Sequence, residues 1–365
     1  MKPAPNENNR ALAAEWVRRG QALEAHGSAL QLTEAVQAYD VALALLGTES
    51  LAGRPGVRHE FGVAWMNRGS ALQKQATPAA LADAVRAYDN AIALVQELPI
   101  TTEPVFRNCL GAAWMNRGHA ELQLGGVDSF TAAARSHEEA VNLLRDLPID
   151  HLPAYRLNFT GALVNLANAL LNTPSSENLG RACTLAQEAL ALIGEREQAE
   201  SEFADLGLKA RRVLCEALGH LLFSSGSNEA IVTLLADTAS DAVDSGLGLA
   251  RHWEKLGAPH FRPLAIRLFH FGAQLYQLHQ PQFLAEFLLE NLAPPQAPPA
   301  WSASEEFHSV AVESLARARQ AIGRRPVTHL DSTATDRLLE ISRSLARAEQ
   351  RLTSLRQEFP PHHAH

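Results

Sequence analysis

The sequence predicts an all-α chain, a solenoid of antiparallel helix pairs followed by a C-terminal helical hairpin or coiled-coil segment. Three observations lead there. A 49-residue register runs through four copies without a gap, each copy holds two stripes at helical spacing, and a turn signal separates the stripes. Composition agrees: 46% of the 365 residues are hydrophobic, 20% are charged and only 6% are aromatic. That balance belongs to a globular chain and suits helices better than sheets.

The register is explicit. The string Ala64-Trp65-Met66-Asn67-Arg68-Gly69 recurs unchanged as Ala113-Trp114-Met115-Asn116-Arg117-Gly118, 49 residues on. One step back stands Glu15-Trp16-Val17-Arg18-Arg19-Gly20, and one step forward Ala162-Leu163-Val164-Asn165-Leu166-Ala167. Three more series keep the step: Ala35, Ala84, Ala133 and Ala182; then Tyr39, Tyr88, His137 and Ala186; then Ala42, Ala91, Ala140 and Ala189. Fixed periods of this length are the mark of repeat architectures.

Within the second copy, Phe61, Trp65, Gly69 and Leu72 make one helical stripe and Ala84, Tyr88, Ala91 and Val95 a second. Between them Thr77 reads as an N-cap and Pro78 as a first helical residue. Each copy is therefore a hairpin of a helix A and a helix B. Neither could hide its apolar face alone, so the copies must stack.

The pattern Trp-x-x-x-Gly followed by Ala-x-x-x-Tyr-x-x-Ala resembles the tetratricopeptide repeat. Trp65, Gly69, Ala84, Tyr88 and Ala91 fill its signature positions, and the likeness covers residues 10–195. It implies a right-handed superhelix whose A helices line a concave groove. The unit is longer than the family's usual length of about 34 residues. The added residues are expected at the start of helix A, near Arg58 to Val63, and in the A–B turn.

If that resemblance carries over, the residue two after the Trp faces the groove: Arg18, Asn67, Asn116 and Asn165. An Asn amide can both donate to and accept from a peptide backbone, and the row resembles the asparagine ladder of the O-GlcNAc transferase superhelix. The next groove row is Gln21, Ser70, His119 and Asn168, polar and uncharged. These eight residues are the expected peptide-binding site. The carboxylate clamp of co-chaperones in the family is not matched, because Val17 and Ala112 occupy two of its basic positions. Arg19, Arg68 and Arg117 turn away from the Asn row. Asp40, Asp89 and Glu138 share their period, which points to ion pairs between helices; an arginine rail for an acidic partner is the alternative. Arg58, Arg107 and Arg156 also keep the step and lie near the packed face.

Beyond residue 195 the register decays. Val213 to Leu222 with Asn228 to Val243, then Phe261 to Leu278 with Gln282 to Leu292, read as two divergent pairs continuing the solenoid over 196–293. A Pro-rich linker follows at 294–301, then two helices within 302–359. The last carries a heptad seam of Leu338, Ile341, Leu345, Ala348, Leu352, Leu355 and Phe359. It can pair with Ser304–Ile322 as a cap, or zip with a second copy into a homo-oligomer. Residues 1–9 and 360–365 are expected to be disordered.

Several functions lack support in the sequence. Net charge is -8, which opposes nucleic-acid binding. No apolar run is long enough for a membrane span and the first residues show no signal-peptide core, so a cytoplasmic location is expected. Cys109, Cys183 and Cys215 read as buried free thiols. His252, His260, His270 and His279 show no metal-ligand spacing, and neither a phosphate loop nor a nucleophile elbow occurs. No metal, cofactor or catalytic residue is expected. The remaining readings are an adaptor that binds a protein or extended peptide, or a structural or regulatory subunit of a larger assembly.

Overall fold

Thr77 and Pro78 open a helix as their order requires: the Thr77 hydroxyl accepts from the Ala80 amide at 3.2 Å, and Pro78 takes the first helical position. Pro55, Pro104 and Pro153 likewise take the first position of three A helices, there without a side-chain cap. The computed structural model describes residues 7–47, 51, 53–224, 229–279, 305–323 and 345–354, with Leu284, Phe287, Leu288, Asn291 and Arg343. Among these residues all regular structure is helical.

Two compact units divide the chain, Met1–Asn178 and Leu179–His365. The first holds α1 (Glu7–His26), α2 (Ala29–Gly47), α3 (Pro55–Lys74), α4 (Pro78–Val95), α5 (Pro104–Leu124), α6 (Val127–Arg145) and α7 (Pro153–Leu171). Each helix packs on the next, and α1, α3, α5 and α7 also touch one another in succession. The predicted helix-pair solenoid is thus present, with the A helices side by side.

Packing follows the register. Ala42, Leu43 and Leu46 of α2 meet Ala13 and Ala64, with Phe61 and Trp65 of α3 closing the cluster. One repeat later Ala91, Ile92 and Val95 meet Leu110 and Ala113, with Phe106 and Trp114 beside them. Ala64, Ala113 and Ala162 are fully buried. Small side chains at this step let each A helix approach the preceding pair closely. The hairpins are locked by a glycine under an aromatic ring. A Cβ on Gly20 would stand 2.5 Å from the Tyr39 ring, on Gly69 2.6 Å from Tyr88, and on Gly118 2.6 Å from His137. Real carbon contacts are never so short, so these sites require glycine for space.

Two expectations change. The additional length does not enlarge the A–B turn, which is only residues 75–77 in the second repeat and 125–126 in the third. It lies in long helices and in the return from B to A, residues 96–103 and 146–152. That return is held from both sides: Leu98 and Leu147 are buried, and Arg107 donates to the Ile100 and Thr101 carbonyls at 2.9 Å each. Arg156 pairs with Asp150 in the following return. Two of the three recurring arginines, Arg107 and Arg156, therefore fasten loops. Residues 7–9, expected to be disordered, belong to α1. The division into compact units falls after Asn178, inside the fourth sequence repeat. In the sequence this is the repeat where the Gly–aromatic pair gives way to Ala167 and Ala186.

The second unit contains α8 (Ser176–Ile193) from Leu179 onward, a 3-10 turn at Gly194–Gln198, α9 (Ser201–Ser224), α10 (Glu229–Lys255), α11 (Arg262–His279) and α12 (Glu305–Gly323). At 24 and 27 residues, α9 and α10 outrun the expected pair. They are joined by buried polar chemistry as well as by apolar contact. Arg211 grips Glu197 through two 2.7 Å bonds and donates to Ser245 at 2.9 Å, while the Trp253 indole donates to the Glu197 carbonyl at 2.6 Å. Phe307 of α12 packs tilted against Phe269 of α11, with centroids 4.6 Å apart. Of the heptad seam, Leu345, Ala348 and Leu352 are buried within the chain. The remaining seam positions, the linker at 294–301 and the ends at 1–6 and 360–365 lie outside the described residues.

Candidate functional site

The A helices bring the predicted groove residues onto one succession of neighbouring helices. Adjacent helices meet residue n against residue n + 50: the Asn158 amide donates to Asn108 at 2.9 Å, Arg10 pairs with Glu60, and the Asn165 amide nitrogen stands 4.0 Å from the Met115 sulfur. Asn67, Asn116 and Asn165 thus occupy equal positions on α3, α5 and α7, and all three are half-buried. Arg18 and Gln21 on α1 are exposed, whereas Ser70, His119 and Asn168 are half-buried.

The row is less uniform than its sequence. The amide nitrogen of Asn67 is buried and makes no hydrogen bond, and that of Asn165 turns toward a thioether. A buried amide without a partner costs about 1–3 kcal/mol. Half of the Asn67 pairing capacity therefore faces the helix–helix seam. Ser70 is also engaged, donating to Glu24 at 2.7 Å. His119 lies edge-on to the His137 ring, with centroids 5.2 Å apart.

Glu24 was not singled out by the sequence pattern, yet it gathers three donors. It accepts from Ser70, from the Tyr39 hydroxyl at 3.0 Å and from Lys74 at 2.9 Å. Burial, then the nearby Glu24 charge, pushes the Tyr39 phenol well above its ordinary range, so it stays a donor. In the next repeat Gln73 takes the Glu24 position and accepts from Tyr88 at 3.0 Å. The Tyr hydroxyls thus tie each B helix to its own A helix. The third repeat breaks this rule: His137 replaces the Tyr and Leu122 the acceptor.

The arginine row is structural in two of its three members. Arg68 meets Asp40 at 2.7 Å and Arg117 meets Asp89 at 2.7 Å, each joining an A helix to the preceding B helix. Each guanidinium also lies over the Trp three residues before it, at 5.6 and 5.5 Å from the ring centroid. Arg19 stacks on Trp16 at 4.9 Å. In the fourth repeat the position is Leu166, and no arginine continues the row.

Cys109, Cys183 and Cys215 are free, and burial raises all three thiols, the first two to about 11. They are poor nucleophiles at neutral pH. Among the described residues no group of three or more His, Cys, Asp or Glu side chains could hold a metal ion, and no helix is long and apolar enough to cross a membrane.

No protein family matches the chain, and no curated protein does. Among solved structures it is similar to a "Circular tandem repeat protein with novel repeat topology and enhanced subunit contact surfaces", at 12% identity and a TM-score of 0.37, over 96% of this chain and 85% of that one.

Proposed function

We propose that the first unit is a tetratricopeptide-like interaction scaffold with a 49-residue repeat, and that its A-helix face binds an extended segment of a partner protein. The observation that carries this reading is the placement of Asn67, Asn116 and Asn165 at one position on successive, touching A helices, each part-exposed. A row of amides at a fixed step suits a polypeptide backbone, which repeats its donors and acceptors in the same way. With one amide atom of Asn67 directed into the seam, the contact from that residue is a single hydrogen bond, not a pair. Specificity then comes from the polar residues beside the row, Gln21, Ser70, His119 and Asn168, and from Arg18 at its start.

The test is a random peptide library selected on the full chain and re-measured on an Asn67/Asn116/Asn165→Ala variant. Selected peptides are expected to lose at least about tenfold in affinity, from about 1.4 kcal/mol or more of hydrogen bonding lost over the three positions. N-methylation of the peptide backbone should weaken binding more than truncation of most side chains. Peptides held equally by both proteins would refute the ladder.

The C-terminal helices cap the helices of the second unit in our reading, and are not a dimer seam. Burial of Leu345, Ala348 and Leu352 inside the chain and the Phe269–Phe307 contact support it, since a seam used for self-association would be open.

A further inference from the structure

One core layer of the third hairpin departs from the others. Where the first two repeats carry Leu23, Ala38, Tyr39 and Leu72, Ala87, Tyr88, the third carries Glu121, Ser136 and His137. All three are buried, Ser136 and His137 completely. Glu121 is satisfied: Ser136 donates to it at 2.7 Å and Arg117 pairs with it at 2.7 Å, itself anchored on Asp89 of α4. His137 is not. Neither ring nitrogen has a hydrogen-bond partner, and the ring is wedged over Gly118 with no room to turn away.

We propose that this layer makes the α5–α6 hairpin an acid-labile joint, in which protonation of His137 on opening favours the unlocked hairpin. An imidazolium in place would have to hold two donors in a site with no acceptor. The charged and titratable groups around it offer none. From α5 come His119, in ring contact and also basic, and Glu121, already committed to Arg117 and Ser136. From α6 itself come Arg135 and Glu139, both exposed, and Glu138, half-buried, and α7 brings Tyr155 and Arg156 in its first turn, the latter paired with Asp150; none of them bonds to either ring nitrogen of His137. Burial, then His119, lowers the His137 pKa from 6.5 to about 3.

A base with a depressed folded pKa costs nothing above its unfolded value. As pH falls below about 6.5, the open state takes a proton that the closed state refuses, and closure weakens until the folded pKa is reached. Glu121 acts in the opposite sense. Its pKa is raised by burial, so the closed hairpin gains relative stability once the carboxyl protonates. The effect of His137 is therefore read against a variant that keeps Glu121. Because His119 stands in the groove row, opening this hairpin would also disrupt the face proposed to bind peptide.

The test is hydrogen exchange of the full chain at about pH 7 and about pH 5.5, corrected for intrinsic rates, on wild type and on His137→Tyr/Leu122→Gln. The double variant restores the Tyr88–Gln73 arrangement, with glycine already beneath the ring. Protection of α5–α6 amides in wild type should fall about eightfold more than in the variant, from one proton taken up at about 6.5 by the open state. An equal fall in both proteins would overturn the proposal. Should the variant not fold, labelled histidine carbons in wild type decide it. A His137 signal unchanged between about pH 7 and 5 supports the joint, and one that titrates near 6.5 overturns it.

Discussion

Gly69→Ala is expected to destabilise the second hairpin although alanine is the better helix former. Free of neighbours, the exchange would gain about 1 kcal/mol in a helix interior. Here the new Cβ stands 2.6, 2.8 and 3.0 Å from three carbons of the Tyr88 ring. That ring cannot withdraw, because it is almost fully buried and its hydroxyl is held by Gln73. Overpacking of this kind costs about 1–3 kcal/mol, so the net change is a loss of up to about 2 kcal/mol after the propensity gain. Gly248→Ala on α10 is the control: nothing lies within 4 Å of its Cβ, and it should gain about 0.5–1 kcal/mol. The fourth repeat suggests the compensation, since it carries Ala167 and Ala186 at the two positions. Gly69→Ala/Tyr88→Ala should therefore cost less than the sum of its single changes. The measurement is local: hydrogen-exchange protection of α3–α4, supported by urea midpoints, because two units and stacked repeats make a single global transition unsafe. Gly69→Ala protection equal to or above wild type would refute the lock, as would strict additivity.

Charge changes should split by burial. Arg68→Met breaks a part-exposed pair with Asp40 and should cost no more than about 1 kcal/mol, read as a small shift in urea midpoint. Arg211→Met leaves the part-buried Glu197 without its two-pronged partner and should cost more than Arg68→Met, up to about 3–5 kcal/mol in the second unit. Thr77→Ala removes the cap of α4 and should lower α3–α4 protection by about 1 kcal/mol. A chain ending at residue 294 uncovers Phe269 and should aggregate or self-associate in light scattering, whereas a soluble monomer would show that α12 is no cap.

Much of the first unit was legible because its determinants are periodic. Pro55, Pro78, Pro104 and Pro153 mark helix starts, and the paired series Gly69–Tyr88 and Gly118–His137 mark the contact that fixes each hairpin. The arginine–aspartate pairs were legible for the same reason. What escaped was whatever depends on facing direction. Asn67 keeps the ladder register, yet its amide nitrogen is buried without a partner, which spacing alone does not give. Glu24 has no counterpart of its own type in the register, so its role as an acceptor emerged only from the distances. The polar layer of the third repeat was visible in principle, as Leu72, Ala87 and Tyr88 becoming Glu121, Ser136 and His137. It required reading the register for its exceptions. In the second unit the register gives way to single anchors such as Arg211–Glu197, brought together by the fold across fourteen residues.

The central claim is that the A-helix face of the first unit holds the partner. A hydrogen-exchange map of the full chain with and without a library-selected peptide tests it most directly. Protection is expected at the groove rows of α3, α5 and α7, around Asn67, Asn116 and Asn165, with α4 and α6 little changed. Protection confined to the B helices, or to the second unit, would contradict it.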